Sequence, residues 1–502
     1  MPLPRRFPTA AVGVMVLAAT LSTTGAASAE PAVPPKAACT QSGTPLRYLV
    51  LFDRGTVQQG AAAQVAAACG TVTGYYPQIA VGIATSSDAD FAERMGTDRA
   101  FSAQRATRGD QSRAQRKPDE TAAVDQQVTA DVPAVSTVDR TAEQWDMAMI
   151  GADRARKIDP GKRDVVVGVL DSGVDPTHPD LQAALDPTLS AGCLTGNPVA
   201  ATDSWIPTAS PHGTHVAGTI AAADDGRGTA GVAPGVRIAS VKVVDDNGLI
   251  LPEYAVCGLM WAASKGMAVT NNSYFVDPWL MTCNHDEEHV VYESMRRAVD
   301  YATKQGVLTV AAATNESADL ANPSGQTAES SATARSSDGS EQERRTLDRG
   351  CKVLPAGLHG VVTVSATSKD ELKSSYSSYG LGVIDVAAPG GEEDRSKDER
   401  DQHGADNGCV LSTVPGGYDR FCGTSMAAPH VTGVAALLAS ENPAATPQQL
   451  SRLLTSEADP VDCPTDYDLD GTGAQDAYCS GYAPFNGFYG HGMVDALAAV
   501  TP

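Results

Sequence analysis

The sequence predicts an α/β protein with a doubly wound, mostly parallel sheet that carries helices on both faces and is preceded by a small α+β module. Fully apolar, strand-length runs alternate with helical runs through most of the chain, which is typical of parallel sheets covered on both faces. In front of them, residues 46–105 read as strand, helix, strand, strand and helix. The chain has 502 residues, 42% of them hydrophobic, which is enough for two or three folded units.

The strands of the main sheet are predicted where short runs are rich in β-branched residues. These runs are VVVGVL, VRIASVKVV, MAVTNNS, VLTVAAAT and VVTVSAT. Helices are predicted at HVAGTIAAA, AVCGLMWAASKG and EEHVVYESMRRAVDYATKQG, and in the apolar run that follows Ser425. Sheets of this class bind their ligands at the carboxyl ends of the strands. We therefore expect the functional residues where these strands end.

The composition of the chain also indicates its domain boundaries. We divide the sequence after residue 29 into a folded module (residues 30–105), a linker (residues 106–140) and a main domain (residues 141–502). The linker is polar and lacks a hydrophobic period, so we expect it to be exposed and open to proteolysis. Residues 317–350 are rich in Ser, Thr, Asp, Glu and Arg, and they are predicted to form a surface loop.

The first 29 residues have the pattern of a secretory signal peptide. Arg5 and Arg6 precede a short apolar run, and the run is followed by Ala-Ser-Ala, the small-x-small pattern of a cleavage site. We predict cleavage after Ala29 and a secreted, extracellular protein. The apolar run is too short for a convincing membrane span, and no later segment of the sequence reaches that length.

The net charge of −23 and the pI of about 4.7 argue against two classes of partner. Nucleic acids and anionic membranes both require clusters of Lys and Arg. We therefore predict no nucleic-acid partner and no membrane partner.

The ten cysteines are an even number in a chain that is predicted to be exported, so we expect disulfide bonds. Reduced, buried cysteines are the alternative. Eight of the ten lie in the main domain, and eight cysteines can pair in about 105 ways. Short loops favour the pairs Cys409–Cys422 and Cys463–Cys479, and the pair Cys39–Cys69 in the module.

Ser425, in CGTSMAAPH (residues 422–430), lies where an irregular segment turns into a buried helix. Pro429 indicates that this helix begins close to Ser425, because proline is tolerated only in the first turn. Unpaired N–H groups and the helix dipole favour negative charge at such a start. The simpler interpretation is that Ser425 or Thr424 is only an N-cap. A nucleophilic serine would need a base and an acid from elsewhere in the chain.

The sequence contains a candidate acid at the end of a predicted strand and a candidate base at the start of a predicted helix. Asp171 directly follows VVVGVL, and His212 opens the helix HGTHVAG. Either residue could be an ordinary turn or cap residue, but together with Ser425 they supply acid, base and nucleophile. Asn315 follows VLTVAAAT, and its amide could donate to a developing oxyanion together with the Ser425 N–H group.

Four segments resemble the signature segments of the subtilisin-like serine proteases: DSGVDPTHPDL, HGTHVAGTIAA, AAATNE and GTSMAAPHVTGVAALL. They occur in the order Asp, His, Ser of that family. The resemblance covers the chain from about residue 144 to the C-terminus. It implies that Asp171, His212 and Ser425 form a catalytic triad and that Asn315 is the oxyanion donor.

The resemblance also implies a serine endopeptidase that needs no cofactor for catalysis, is a monomer and cleaves protein or peptide substrates. The module at residues 30–105 resembles a subtilisin propeptide, which would make it a partner of the enzyme that occupies the cleft until it is removed. Two alternatives stay open: a processing protease of narrow specificity with the same fold, and a catalytically silent binding protein on this scaffold.

The sequence departs from the family pattern at two places. Thr314 stands where the family usually has a small residue, most often glycine, before the oxyanion asparagine. NNSYF stands where the family has a Ser-Leu-Gly edge that pairs with the substrate backbone. Ser273 and Tyr274 can still form a substrate-binding edge, but Phe275 is expected to crowd the substrate channel.

The resemblance further implies a structural calcium site. Asp180 and Asp225 match its carboxylates, and residues 223–229 match its loop. Calcium requires six to eight oxygen ligands, which these carboxylates and loop carbonyls could supply. The alternative is that Asp180 only caps a helix, and Arg227 adds an unfavourable positive charge. DYDLDG (residues 466–471) is a weaker calcium candidate, because Ala477 stands where a bidentate Glu would close the loop.

Overall fold

The alternation of apolar and helical runs in the sequence becomes an alternation of strands and helices. The computed structural model describes residues 39–40, 43–108, 138–325, 347–392, 408–469 and 471–501. The strands of these residues are β1 (Leu46–Leu51), β2 (Thr71–Tyr76), β3 (Val81–Ser86), β4 (Ala100–Phe101), β5 (Val166–Asp171), β6 (Ala191–Gly192), β7 (Arg237–Lys242), β8 (Val269–Asn272), β9 (Thr282–Cys283), β10 (Leu308–Ala312), β11 (Cys351–Lys352), β12 (Val361–Thr367), β13 (Val386–Pro389), β14 (Val410–Val414), β15 (Gly417–Phe421), β16 (Gly481–Tyr482) and β17 (Phe485–Asn486). The helices are α1 (Gln58–Ala67), α2 (Phe91–Met95), α3 (Ala103–Arg108), α4 (Trp145–Met149), α5 (Ala152–Ala155), α6 (Pro179–Gln182), α7 (His212–Ala221), α8 (Pro252–Ser264), α9 (His289–Lys304), α10 (Thr424–Glu441) and α11 (Pro447–Ser456).

The central sheet has seven strands in the order β13-β12-β10-β8-β5-β7-β6, and all of these neighbours pair in parallel. Alternate residues of β5 belong to different cores. Val167 and Val169 pack into the cluster that contains α7 and α10, whereas Val166 and Leu170 pack into the cluster that contains α8 and α9. Both faces of the sheet are therefore covered, which confirms the predicted α/β class and explains why these strands are apolar throughout.

The N-terminal module, described here as residues 43–108, is a four-stranded antiparallel sheet in the order β2-β3-β1-β4 with α1 and α2 packed on one face. Its first five elements follow the predicted order, and they are followed by β4 and α3, which the sequence did not predict. The last helix, α3, continues to Arg108, past the predicted end of the module at residue 105. The predicted signal peptide and residues 109–137 of the predicted linker lie outside the described residues.

Polar contacts join the module to α8 and α9. The guanidinium group of Arg47 lies 3.4 Å from the buried carboxylate of Glu253 in the first turn of α8. Arg297 of α9 donates a hydrogen bond of 3.0 Å to the carbonyl of Phe52, next to the end of β1. Burial raises the pKa of Glu253, so the ion pair with Arg47 compensates a carboxylate that is otherwise poorly solvated.

The disulfide bonds confirm the predicted short loops. The described pairs are Cys193–Cys257, Cys283–Cys351, Cys409–Cys422 and Cys463–Cys479. The first two were left open by the sequence. Cys39 and Cys69 are also both disulfide-bonded, as the pair predicted for the module requires. The bond between Cys409 and Cys422 closes the hairpin β14–β15 directly before α10, and thus braces the chain that leads into Ser425.

Two expectations about the main domain are wrong. The helix α10 begins at Thr424, so the prediction that it begins close to Ser425 is confirmed, but Pro429 lies inside α10 and not in its first turn. The segment predicted to be a surface loop from residue 317 onward begins in the core, because Ala318 and Leu320 are buried and bond to the backbone of Tyr379. Residues 326–346 of that segment lie outside the described residues.

The sequence also gave no indication of β13, of β14 or of α11. Strand β13 is only four residues long and contains two alanines and a proline, so it carries little β-propensity of its own. Among the residues described, no helix has both the length and the apolar character needed to cross a membrane.

We predict that Arg47→Ala, in a precursor that also carries Ser425→Ala to prevent self-cleavage, lowers the free energy of unfolding at pH 7. A loss of about 2 to 3 kcal/mol is expected, which is at or just below the lower end of the range for a buried ion pair that loses one partner, because Arg47 is 20% exposed. Because the folded-state pKa of Glu253 is raised, its carboxyl group destabilises the fold when it is ionised and no longer does so when it is protonated. The loss should therefore shrink as the pH falls towards 4.

The measurement is thermal or urea unfolding of the variant and its parent at pH 7 and pH 4, with Arg99→Ala, another arginine of the module, as the control. An equal loss at both pH values would show that Glu253 is not responsible.

Candidate functional site

A cleft lies at the carboxyl edge of the central sheet. Asp171 ends β5, Ser273 follows β8, and Asn315 lies three residues after the end of β10. These residues line the cleft together with His212, the first residue of α7, and Ser425 in the first turn of α10. Five candidate residues from distant parts of the chain thus meet in one cleft, at the edge of the sheet where the sequence predicts functional residues.

Asp171 and His212 form a buried hydrogen-bonded pair. The Nδ1 atom of His212 lies 2.8 Å from Oδ1 of Asp171, which also accepts a hydrogen bond of 2.7 Å from the Ser172 N–H group. A ring that donates from Nδ1 presents the lone pair of Nε2, and this atom has no hydrogen-bond partner among the described residues. The pair can therefore accept a proton at Nε2 while the carboxylate stabilises the resulting imidazolium.

The motif HGTH contains a second histidine, His215, which has a structural role. Its Nε2 atom faces the carbonyl oxygens of Val410 and Asp419 at 3.0 and 3.2 Å, and its ring stacks on Phe421. Burial lowers the pKa of His215 to about 3, so the ring is neutral near pH 7 and donates from Nε2. His215 therefore joins α7 to the hairpin β14–β15 and adds no charge beside His212.

Ser425 is held at the start of a helix that has no side-chain N-cap. The N-cap residue of α10 is Gly423, with φ of 151°, so neither Thr424 nor Ser425 has the simpler capping role. Ser425 Oγ donates to the carbonyl of Ser273 at 3.3 Å in this conformation. Pro429 cannot donate to the Ser425 carbonyl four residues earlier, and the hydroxyl of Ser273 donates to that carbonyl instead at 2.9 Å.

The amide of Asn315 is oriented by Thr424. The N–H and hydroxyl groups of Thr424 donate to Oδ1 of Asn315 at 2.9 and 2.8 Å. The Nδ2 atom of Asn315 is buried and has no hydrogen-bond partner in the described part of the chain. An unpaired N–H donor beside Ser425 is suited to bind a negative oxygen. The sequence indicated Asn315 but not Thr424, whose contact depends on the folded loop.

Ser273, Tyr274 and Phe275 all line the cleft, but the polar groups of the first two have internal partners. Besides its bond to Ser425, the hydroxyl of Ser273 accepts from Asn271, and the hydroxyl of Tyr274 donates to Asn272 at 2.9 Å. Burial raises the pKa of Tyr274, so it remains a hydrogen-bond donor. Phe275 is partly buried and packs on the cluster around α8 and α9.

Asp180 and Asp225 lie outside the cleft. Asp180 is buried in α6, and its Oδ2 atom accepts from the Tyr418 hydroxyl at 2.9 Å and from the Thr229 N–H group at 3.2 Å. The N-cap of α6 is His178, so the carboxylate of Asp180 does not cap its own helix. Asp225 is exposed and lies 3.3 Å from the guanidinium group of Arg227.

The weaker calcium candidate, residues 466–471, has its carboxylates engaged by its own loop. Asp468 accepts from the N–H groups of Thr472 and Gly473, and Asp466 accepts from the side chain of Gln475. Asp470 lies outside the described residues.

The groups at the carboxyl edge provide the chemistry of a serine hydrolase: a hydroxyl, a histidine that can accept its proton, a carboxylate that orients the histidine and an amide for the oxyanion. Comparison with known proteins identifies the family. Residues 162–492, about two thirds of the chain, match the model of the subtilase family, and the chain belongs to this family.

Curated relatives support this assignment. The chain is 33% identical to fervidolysin of Fervidobacterium pennivorans over 335 residues, which are 63% of this chain and 40% of fervidolysin. It is 32% identical to subtilisin NAT of Bacillus subtilis subsp. natto over 302 residues, 59% of this chain and 60% of that protein. These matches therefore span about half the length of the relatives.

Solved structures share the fold. A leader peptide processing serine protease (EpiP) from Staphylococcus aureus superposes with a TM-score of 0.65 at 21% identity, covering 91% of this chain and 98% of that chain. A lanthipeptide protease superposes with a TM-score of 0.53 at 25% identity, covering 73% of this chain and 99% of that chain.

Proposed function

We propose that this protein is a secreted serine endopeptidase that hydrolyses peptide bonds through an acyl-enzyme intermediate and is made as a zymogen. The observation that carries the proposal is the pair formed by His212 and Asp171 at 2.8 Å, with the unpartnered Nε2 atom in the same cleft as Ser425. Membership of the subtilase family supports the same chemistry.

In the proposed reaction, Nε2 of His212 takes the proton of the Ser425 hydroxyl as its oxygen attacks the substrate carbonyl carbon. In the structure the Ser425 hydroxyl donates to the carbonyl of Ser273, so it must first turn towards His212. A hydrogen bond between a nucleophile and its base commonly forms only when substrate is bound. Asp171 holds the proton on Nδ1 and stabilises the imidazolium. The carbonyl oxygen becomes an oxyanion, which accepts hydrogen bonds from the Asn315 amide and the Ser425 N–H group.

The tetrahedral intermediate then collapses. The imidazolium of His212 gives its proton to the leaving nitrogen, the C–N bond breaks and the acyl group stays on Ser425. A water molecule gives a proton to His212 and attacks the ester, and the same steps in reverse order release the acid. None of these steps uses a metal ion or an organic cofactor.

The zymogen part of the proposal concerns residues 30–105. The described part of this module docks on α8 and α9 through Arg47, Glu253 and Arg297, and its Phe101 ring lies 5.1 Å from the ring of Trp279. Trp279 follows the predicted substrate edge by only four residues. We propose that the module is a propeptide that is released by cleavage within residues 106–140, after export by a signal peptide of residues 1–29.

A processing protease of narrow specificity is the second candidate. Phe275 favours it, because this aromatic side chain lines the cleft where the family usually has glycine. The similarity to the lanthipeptide protease structure supports it further. Cleavage-site mapping on a diverse peptide mixture separates the two functions, since a broad protease would cut most peptides and a processing protease only a few related sequences.

The third possibility, a silent binding protein, makes a different prediction. A fluorophosphonate probe reacts with an activated serine and leaves an inactive scaffold unlabelled. Labelling that disappears in Ser425→Ala supports the proposed enzyme, and unlabelled, folded, mature wild-type protein would support the binding protein.

We predict that Ser425→Ala, His212→Ala and Asp171→Asn each reduce turnover by roughly 10⁴- to 10⁶-fold, the range measured for the triad of subtilisin and related proteases. Each variant should also leave the precursor unprocessed, because the enzyme is proposed to release its own module. Peptide hydrolysis and the mass of the purified chain measure both effects. Ser440→Ala, at the far end of the same helix, is the control, and substantial hydrolysis by purified Ser425→Ala would disprove the assignment.

We predict that Asn315→Leu lowers kcat by about 10²- to 10³-fold, the loss known for removal of one oxyanion donor in subtilisin. KM should change little, because the amide contributes only when charge develops on the carbonyl oxygen. Steady-state kinetics measure the two constants. A raised KM with an unchanged kcat would instead make Asn315 a substrate-binding residue.

A structural calcium ion beside Asp180 and Asp225 is part of the proposal. Burial raises the pKa of the Asp180 carboxyl, so a nearby cation would stabilise its ionised form, and the hydroxyl oxygen of Thr229 is buried without a hydrogen-bond partner among the described residues. These groups fit a cation that prefers oxygen ligands. Asp180, Asp225 and carbonyl groups of residues 223–229 would hold the ion, which would stabilise the fold and take no part in catalysis.

We predict that chelation of calcium lowers the melting temperature and accelerates autolysis. An ion that binds only the folded state stabilises it by about 2.7 kcal/mol at a hundredfold excess over Kd. Asp225→Ala should abolish the calcium response and retain the initial turnover, whereas Asp370→Ala, at another exposed aspartate, should retain both. A melting temperature that is indifferent to chelator and calcium, in protein shown to be calcium-free, would exclude the site.

A further inference from the structure

The residue before Asn315 has a backbone conformation that its side chain does not favour. Thr314 has φ of 84°, in the left-handed region, where β-branched residues are rare. It is also buried. Because Thr314 and Asn315 share a peptide unit, relaxation of Thr314 would move the Asn315 backbone and, with it, the direction of its amide. A contact must therefore hold this conformation.

Ser378 provides that contact at two points. Its hydroxyl lies 2.9 Å from the hydroxyl of Thr314, and its N–H group donates to the Thr314 carbonyl at 3.0 Å. The same hydroxyl accepts from the N–H group of Ala318 at 3.2 Å. Ser378 thus binds both the side chain and the backbone of the strained residue and fixes the loop beyond it.

The backbone around Ser378 is fixed in turn by a buried lysine. Lys373 donates from Nζ to the carbonyls of Ser374 and Ser377 at 2.9 and 2.8 Å. The Ser377 hydroxyl donates to the Ser378 carbonyl at 3.1 Å. Hydrogen bonds within residues 373–378 therefore hold this segment together, and Ser378 at its end contacts Thr314.

Aromatic rings surround the ammonium group of Lys373. It lies 5.0 Å from the ring centre of Tyr467 and 5.4 Å from those of Tyr379 and Phe488. The Tyr467 hydroxyl also donates to the Lys373 carbonyl at 2.8 Å. Three aromatic rings and two carbonyls thus enclose the ammonium group, and these contacts tie Lys373 to the segment that carries Ser378.

We propose that Ser378 is a positioning residue that holds Thr314 in its strained conformation and thereby directs the Asn315 amide toward the oxyanion. The inference rests on the proposed function of Asn315. Ser378 does not contact the reacting atoms but acts through the two residues 314 and 315. A purely structural serine would instead stabilise the fold without a specific effect on the transition state.

The test is a double-mutant cycle measured by steady-state kinetics on the mature enzyme. Ser378→Ala is expected to lower kcat by about 10-fold with KM unchanged, because small displacements of a catalytic group reduce the rate strongly. In the Asn315→Leu background the same change should have almost no further effect. Ser368→Ala, at a buried serine whose hydroxyl accepts from the N–H group of Asp370 two residues further on, is the matched control.

A rescue experiment provides the second measurement. Glycine adopts φ of 84° without strain, so Thr314→Gly should restore most of the kcat lost in Ser378→Ala. Lys373→Met should behave like Ser378→Ala in the cycle. If Ser378→Ala does not fold, the variants Thr314→Val and Thr314→Gly are compared instead. Valine lacks the hydroxyl that contacts Ser378 and does not favour φ of 84°, so the kcat of Thr314→Val is expected to be lower than that of Thr314→Gly.

Equal losses of kcat in the wild-type and Asn315→Leu backgrounds would overturn the inference, as would a higher kcat for Thr314→Val than for Thr314→Gly. The proposed function fails by a different result, namely a kcat that Asn315→Leu leaves unchanged or hydrolysis that survives Ser425→Ala. The two failures are therefore distinguishable.

Discussion

The complete burial of α10 is the constraint on which the rest of this structure depends. All residues of this helix from Thr424 to Ser440 are buried, and the helix packs against the strands of the central sheet, α7 and α11. Because apolar residues occupy every face of this helix, it must be enclosed, and other elements of the fold pack around it on all sides. The N-terminal end of this helix reaches the cleft and carries Ser425. The burial that stabilises the fold therefore also fixes the position of the serine.

The polar groups of α10 are satisfied by specific partners. His430 lies 2.9 Å from the Asp146 carboxylate and donates from Nδ1 to the carbonyl of Met426, and both ionisable side chains are fully buried. This pair joins α10 to α4 near the start of the main domain. Pro429 leaves one carbonyl without its helical partner, and Ser273 compensates for it. Buried polar groups of this kind are costly unless they are paired, so each pair also specifies one arrangement of the helix.

The site combines rigid and strained parts. Asp171 and His212 are placed by a strand end and a helix start, two of the most regular features of the fold. Asn315 lies instead on a loop whose conformation costs energy at Thr314 and is maintained by neighbouring segments. The strained residue Thr314 directly precedes Asn315, whose amide is proposed to act only in the transition state. This arrangement indicates that the direction of the Asn315 amide is maintained at the expense of backbone energy at Thr314.

Much of the fold was predictable because it depends on local patterns. The five apolar runs became strands of one parallel sheet, and the carboxyl-edge rule located the cleft. Most of the strands that the sequence missed have only two to four residues, which is too short for a periodic pattern to show. The expectation that Pro429 marks the first turn failed because a distant hydroxyl replaces the missing donor.

The sequence by itself determined the sheet class, the order of the candidate acid, base and nucleophile, and the short disulfide loops, because each depends on periodicity or on spacing along the chain. Only the tertiary structure decided that His215 binds the carbonyls of Val410 and Asp419, which groups orient Asn315, and that Arg47 neutralises Glu253. These contacts join residues that are separated by tens to hundreds of positions. Their partners are chosen by the packing of whole elements, and no local pattern of the sequence encodes that choice.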